Sequence, residues 1–470
     1  MTDYRIEHDS LGEINIEKSA LYGANSQRAF ENFNITGLGM DEKFIDAILE
    51  VKKSCAIENG KIGLLSDKEA DAIVKACQKL LAGQNRENFI VDPIQGGAGT
   101  SFNMNANEVI ANIAEVSLGG KLGEYKIIHP NDHVNKGQST NDVIPTSGKI
   151  ALIRYFKELI EETNQLIDSL NKKADEFAEV YKMGRTQLQD AIPMSLGQEF
   201  AAYAKVLSRD VKRFERVIED LSVVNLGGTA IGTGLNADKK YVDEVVDVLA
   251  KVTGLNLKQS EDLVDGTQNL DAILFASSVL KTFAASLSKI SNDLRLMSSG
   301  PQTGIFDIKL PAKQAGSSIM PGKVNPVIPE VVNQVSFLVI GNDVTVTMAV
   351  EAGQLELNAF EPVIFYKLFE SLKTLKGAIY TLRVNCIDNI IANKKRLKDQ
   401  VEKSVGLVTA LAPHIGYEKS SKIAKRALKT GENIRDIVLD ENLLSDDELD
   451  NILDLKKMIE PGILGEKDLI

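Results

Sequence analysis

Two apolar seams constrain this chain more than any other feature. From Ile273 the pattern Ile273, Ala276, Leu280, Phe283, Leu287, Ile290, Leu294, Met297 alternates steps of three and four without a break. That is the heptad spacing of a helix buried along one face for its whole length. A second run, Ile153, Phe156, Ile160, Ile167, Leu170, Ala174, Phe177, keeps the same alternation across one polar position, Thr163. Each predicted helix is about 37 Å long at 1.5 Å per residue. Leu196, Phe200, Tyr203, Val211, Phe214, Val217 and Leu221 mark a third amphipathic stretch, and Val331–Val350 and Val363–Cys386 a fourth and fifth. Five long helices predict a bundle. One layer of five leaves apolar faces uncovered, so a homo-oligomer is expected.

The rest of the chain arranges itself around this bundle. Residues 1–140 read as a mixed, mainly helical domain, with a hairpin from Tyr4–Glu7 and Gly12–Ile16 and helices over Lys43–Gly60 and Ser66–Leu81. Residues 141–393 hold the bundle. Residues 394–470 form a small helical C-terminal domain, in which Ser445 is a natural N-cap ahead of Asp446, Asp447 and Glu448. The fold class is therefore mainly α.

Composition narrows the function. With 54 Lys+Arg against 66 Asp+Glu the formal charge is −12, and no run of basic residues exceeds three, so nucleic acid is not the expected partner. The uncharged stretch Leu221–Ala237 is broken by Gly227, Gly228, Gly232 and Gly234, which makes it a loop rather than a membrane span. Asp3, Arg5, Glu7 and Asp9 exclude the apolar core of a signal peptide at the N-terminus. A cytoplasmic protein is expected. Cys55, Cys77 and Cys386 lie far apart and form no metal-binding pattern, so they read as buried free thiols.

Four segments break the helical pattern and concentrate hydroxyl, amide and Gly residues: Gln95–Asn107, Asn135–Asp142, Gly184–Asp190 and Gly316–Pro326. Taken singly, each is what a capped helix end looks like. Together they supply the neutral donors, with few cations, that suit a small dianion. In the last, Gly316, Pro321, Gly322 and Pro326 forbid a helix, leaving a loop that carries Ser317, Ser318, Lys323 and Asn325. A serine there acts as a base only if local N–H donors or a cation stabilise its alkoxide.

Gly316–Pro326, reading GSSIMPGKVNP, resembles the signature of the aspartase/fumarase superfamily, and the likeness runs from Tyr22-Gly-Ala into the C-terminal region. The resemblance implies a three-domain subunit with a long central helical bundle, a homotetramer, and active sites shared between subunits. It implies proton abstraction beside a carboxylate, an aci-carboxylate dianion, and loss of a leaving group to give fumarate. Carried over by motif, Ser317 is the general base. Thr100, Ser139, Thr140 and Ser318 serve the carboxylate that gathers charge, Thr186, Lys323 and Asn325 the other carboxylate, and Asn141 and Gln187 the leaving group. No metal or organic cofactor is implied, and activation by a divalent cation is compatible with the family.

Within the superfamily, Gly97-Ala-Gly-Thr100, Ser139-Thr140-Asn141-Asp142 and Gln187 after Gly184-Arg-Thr186 lean toward the aspartase branch. A neutral amide at 187 suits departing ammonia, which carries its own protons, whereas a titratable His suits departing water. The expected reactants are L-aspartate, fumarate and ammonia. A class II fumarase is the alternative, and a catalytically silent helical scaffold the further one.

Three other features weigh less. His129-Pro-Asn-Asp-His133 looks like a solvated loop rather than a metal site, because Pro130 breaks helical spacing. A similar segment forms an accessory anion site in fumarases, which extends that role to His129, Asn131 and Asp132. Gly232–Ala237 fits GxGxxA, but no clear strand precedes it, so a dinucleotide site is rejected. Arg28 lies where the family keeps a cation near its site, though a surface ion pair is equally consistent with its position.

Overall fold

The computed structural model describes residues 3–465. Strands β1 (Tyr4–Asp9) and β2 (Gly12–Glu17) form the expected antiparallel hairpin. Helices α1 (Ala24–Asn32), α2 (Glu42–Lys61), α3 (Asp67–Leu81) and α4 (Thr100–Ser117) follow. A reciprocal capping box between Ser66 and Glu69 opens α3. Helix α5 spans Thr140–Glu176. At 37 residues it is about 55 Å long and extends beyond the apolar seam, because it begins at Thr140, within the Asn135–Asp142 segment that precedes the seam.

Strands β3 (Tyr181–Thr186) and β4 (Gln189–Ser195) lead to α6 (Leu196–Leu221). Next come β5 (Val223–Val224), α7 (Lys239–Thr253), β6 (Lys258–Gln259), α8 (Leu263–Gln268) and α9 (Asp271–Met297). Strand β7 (Ile308–Lys309) precedes α10 (Val327–Glu351) and α11 (Glu361–Asn385), and β8 (Ile391–Ala392) pairs back with β7. Six helices end the described chain: α12 (Lys394–Lys403), α13 (Val408–Ile415), α14 (Tyr417–Thr430), α15 (Ile434–Asp440), α16 (Asp446–Ile452) and α17 (Leu455–Met458). Ser445 caps α16 through a second capping box. The fold is mainly α, with four small two-stranded sheets.

The chain divides into two compact units. One comprises the chain up to Ile160, Lys212–Ala284 and Phe337–Lys376. In it, Phe156, Phe214 and Phe283 meet at ring separations of 5.7 and 5.0 Å and join α5, α6 and α9. Phe44 packs on Phe102 and Phe365 at 4.8 and 5.3 Å. The Phe365 ring fills the space a Cβ on Gly148 would occupy, so only glycine lets α5 and α11 approach this closely.

The other unit comprises Glu161–Val211, Ala285–Ser336 and the chain from Gly377. Phe177 and Phe200 stack edge to face at 5.4 Å, and the Tyr203 hydroxyl donates to Asp293 at 2.9 Å. Leu411, Ile423, Ile437, Val438 and Leu449 centre a separate core in its C-terminal helices. Every residue of the Ile273–Met297 seam is buried. Thr163 is buried as well, so the polar break in the other seam still faces inward.

One sequence expectation needs correction. A strand does precede the Gly-rich loop, since β5 pairs in parallel with β6 across α7. The dinucleotide reading fails for a different reason: each strand has two residues, and the N-terminus of α7 is already capped by the Asp238 carboxylate, where a phosphate would have to bind.

Candidate active site

In the first unit, two helix starts carry four of the expected donors. Gly97, Ala98 and Gly99 all take positive φ, at 82°, 55° and 89°, and this turn delivers Thr100 to the first position of α4. No side chain caps Gly99. Gln95 substitutes from outside, accepting the Phe102 N–H at 3.0 Å. The Thr100 hydroxyl donates to the Gly97 carbonyl at 2.7 Å, so it must rotate to serve a ligand.

At the start of α5, Ser139 Oγ accepts the Asn141 N–H at 3.3 Å, and Asp142 Oδ1 accepts the Ser139 N–H at 2.9 Å. The capped-end interpretation is thus correct for this segment, and it coexists with a display of donors. The other Asp142 oxygen accepts N–H groups from Gly227 and Thr229, both at 3.1 Å. Asn141 Nδ2 donates to the Ala230 carbonyl at 2.7 Å. The Gly-rich loop is therefore fastened to the Ser139–Asn141 turn. Burial pushes the Asp142 carboxyl up to about 6, against the pull of those three N–H groups.

Behind this turn lies a residue that the pattern reading missed. Lys52 of α2 is fully buried and donates to Asn135 Oδ1 at 2.8 Å and Gln138 Oε1 at 2.9 Å. Burial lowers its ammonium to about 7. The signal was present, because Lys52 sits among Ile45, Ile48, Cys55 and Ala56 on the buried side of α2, a place where a lysine needs a reason.

His129, Asn131 and Asp132 fall on a wide helical turn, Pro130–Val134, not in the irregular loop that Pro130 suggested. Proline at the first position of the turn forfeits no bond, because that N–H has no partner in any helix. The turn closes by bonds five residues apart, Val134 N–H to His129 O and Asn135 N–H to Pro130 O. His129 Nδ1 accepts the N–H groups of Asn131 and Asp132 at 3.2 and 3.3 Å. The same nitrogen lies 3.4 Å from the Asp132 carboxylate. No group of three or more metal-ligating side chains occurs among the described residues. Arg28 is engaged by Asp9 at 2.8 Å and by the Gly12 carbonyl, the surface-pair alternative.

In the second unit, Thr186 and Gln187 stand at the exposed tip of the β3–β4 hairpin. Gln187 and Leu188 are its two turn residues, at φ 53° and 64°, the left-handed turn that matches strand twist. Neither is glycine, so the tip is strained. Its base is anchored by Arg185, whose guanidinium bonds the buried Asp307 carboxylate at 2.6 Å, with Lys182 Nζ 3.7 Å from the same oxygen.

Residues 310–326 form a loop without helix or strand. Its Gly316–Asn325 part is closed by Gly316 N–H to Lys323 O at 2.9 Å and by Asn325 Nδ2 to Gly316 O at 2.6 Å. At its head, Ser317 Oγ accepts the N–H groups of Ile319 and Met320 at 3.2 and 3.0 Å. Two backbone donors thus converge on one serine oxygen, the condition set by the sequence for an alkoxide. Ser318 and Lys323 are exposed, as are the apolar Ile319 and Val324.

Helix starts with clustered hydroxyls, and a separate loop holding a serine under two N–H donors, are the groups that a lyase acting on a small dianion requires. The family model described as Lyase matches residues 12–341, and that described as Fumarase C C-terminus matches residues 407–460. The chain belongs to the aspartase/fumarase superfamily of lyases.

It is 51% identical, over 99% of its length and all of the relative's, to an aspartate ammonia-lyase of a Bacillus species. It is 48% identical to the Escherichia coli K12 aspartate ammonia-lyase, covering 98% of each chain. A crystal structure described as fumarate lyase:delta crystallin from Brucella melitensis bound to cobalt superposes with a TM-score of 0.95 at 47% identity, over 98% of this chain and 100% of that one. Recombinant class II fumarase from Schistosoma mansoni superposes at 0.94 and 36% identity, with the same coverage.

Proposed function

We propose that this enzyme is a carbon–nitrogen lyase that deaminates L-aspartate reversibly to fumarate and ammonia. Ser317, as alkoxide, takes a proton from the carbon beside the β-carboxylate, that carboxylate becomes an aci-carboxylate dianion, and the C–N bond breaks to release ammonia. The observation that carries the reading is the pair of N–H groups on Ser317 Oγ. Charge stabilisation by aimed donors is the largest demand of such a reaction, and one donor is typically worth about 2.7–4 kcal/mol.

Thr100, Ser139, Thr140 and Ser318 serve the charge-gathering carboxylate. Thr186, Lys323 and Asn325 hold the α-carboxylate, and Asn141 and Gln187 flank the amino group. His129, Asn131 and Asp132 remain the candidate accessory anion segment. The residues of the chain need no organic cofactor for this chemistry, and activation by a divalent cation is compatible with it.

The proposal includes a three-domain division at 1–140, 141–393 and 394–470, of which residues 1, 2 and 466–470 lie outside the described residues. It also includes a cytoplasmic homotetramer whose sites draw residues from different copies. Support for assembly comes from α10, which exposes Phe337, Ile340, Val344 and Met348 at steps of three and four. By length and composition α9 and α10 could cross a bilayer. Yet α10 also buries Asn342, bonded to Glu370 and Ser371, and Asp343, bonded to Ser277 and Lys281. Fixed polar partners in mid-helix favour a protein neighbour over lipid.

The test is direct. Purified protein mixed with L-aspartate should raise the ultraviolet absorbance of fumarate, L-malate should not, and Ser317→Ala should lower the aspartate rate at least 100-fold with the fold intact. Light scattering should return four chains. Turnover of malate alone identifies a fumarase, and inactivity on both a scaffold.

A further inference from the structure

Asn103 lies one turn into α4, is 2% exposed, and has no place in the roles above. Its Nδ2 carries two protons, and both are committed: one to Asn135 Oδ1 at 3.3 Å, the other to Thr140 Oγ1 at 3.1 Å. Amide ends are interchangeable in shape, so what fixes the donor end is its neighbours. Asn135 Oδ1 receives Lys52 Nζ at 2.8 Å and Asn107 Nδ2 at 3.2 Å in addition to Asn103. An ammonium only donates. Asn135 Nδ2 donates to the Gln138 carbonyl at 3.2 Å, so Lys52 and that carbonyl together make Asn135 present oxygen to the network, and that oxygen compels Asn103 to present its NH2. Thr140 Oγ1 must then accept from behind.

We infer that Asn103, set by Asn135 and Lys52, is a positioning residue that turns the Thr140 proton toward the substrate carboxylate. A hydroxyl that accepts from within keeps its single proton for the other side. Thr140 thereby becomes a donor of fixed direction, as the dianion requires. The chain Lys52, Asn135, Asn103, Thr140 is a polarity relay in which each donor dictates the next. The inference rests on the aspartate-lyase reading and adds a direction to one of its donors.

Asn103→Asp is the decisive variant, because it keeps the shape and reverses the polarity. A carboxylate oxygen accepts from Thr140 and draws its proton backward. The expected result is a loss in kcat of about 100-fold, the low end for a missing oxyanion donor, with KM within threefold. Asn103→Ala, which leaves Thr140 free to rotate, should lose about tenfold on the same reasoning. In a Thr140→Val background both Asn103 changes should add less than threefold, whereas a purely structural role multiplies the two losses.

Wild-type turnover of aspartate and its loss in Ser317→Ala report separately on the underlying reading. If those hold while Asn103→Asp stays within threefold of wild type, or its loss multiplies with that of Thr140→Val, the relay is wrong. If Thr140→Val itself costs nothing, there is no donor to orient and the inference falls too. Should Asn103→Asp not assemble, Asn103→Ala in both backgrounds decides by the same criterion.

Discussion

Replacing Lys52 by Met separates stability from catalysis at one residue. The Lys52 ammonium is fully buried, and burial lowers it from 10.5 to about 7. A gap of about 3.5 pKa units corresponds to about 5 kcal/mol by which the folded state disfavours the charged form. The folded protein holds fewer protons than the unfolded chain between those two values, so this group's contribution to stability rises as pH climbs from 7 toward 10.5 and is most adverse below 7. Methionine has a similar length and no charge, and removes that cost. In return, Gln138 Oε1 loses its Lys52 donor while Asn135 Oδ1 keeps Asn103 and Asn107, a loss of about 1–3 kcal/mol for an unpaired buried acceptor.

The balance is a variant about 2–4 kcal/mol more stable than wild type at pH 6, with the gap shrinking by about 3 kcal/mol at pH 9. With only the Gln138 carbonyl still holding its Nδ2 at 3.2 Å, however, Asn135 sets Asn103 less firmly, and kcat should fall about 10-fold. Urea denaturation at both pH values, with aspartate turnover measured alongside, checks each half. Lower stability than wild type at pH 6, a gap independent of pH, or kcat within threefold of wild type would each refute the reasoning.

Two further outcomes follow from buried charges elsewhere. Asp307→Asn strips the fully buried carboxylate from Arg185 and Lys182, so it should cost about 3–5 kcal/mol and raise KM through the Gln187 hairpin, as thermal melting and steady-state kinetics would show. Glu361 is fully buried, neither of its oxygens has a hydrogen-bond partner, and burial raises its carboxyl from 4.5 to about 8. It is thus mostly protonated at neutral pH. Because the folded state binds the extra proton, stability from this group falls as pH rises from about 4.5 to 8, and Glu361→Gln, which keeps the neutral shape, should remove that slope: its melting temperature should match wild type near pH 4.5 and exceed it at pH 7.

The seams, the hairpin, the capping boxes and the Gly/Pro loop were legible because each is a local matter. Step spacing fixes which face of a helix is buried, and Ser66 and Ser445 sit three residues before the glutamates that complete their boxes. The hydroxyl-rich segments could be recognised too, since helix starts and donor clusters use the same residues. What pattern could not supply was partnership at long range. Asp142 looked like the end of a motif, yet it binds the loop at Gly227–Thr229, 85 to 87 residues away. Arg28 could be left with either of two roles until Asp9 was seen beside it.

By itself, then, the sequence determined that this protein is mainly helical with a serine on a glycine- and proline-bounded loop, because periodicity and backbone restriction act over a few residues. Only the tertiary structure decided which way the donors face. Lys52, 83 residues before Asn135, orders the amides behind Thr140, and direction in a hydrogen-bond network belongs to the neighbours that folding brings together, not to any residue alone.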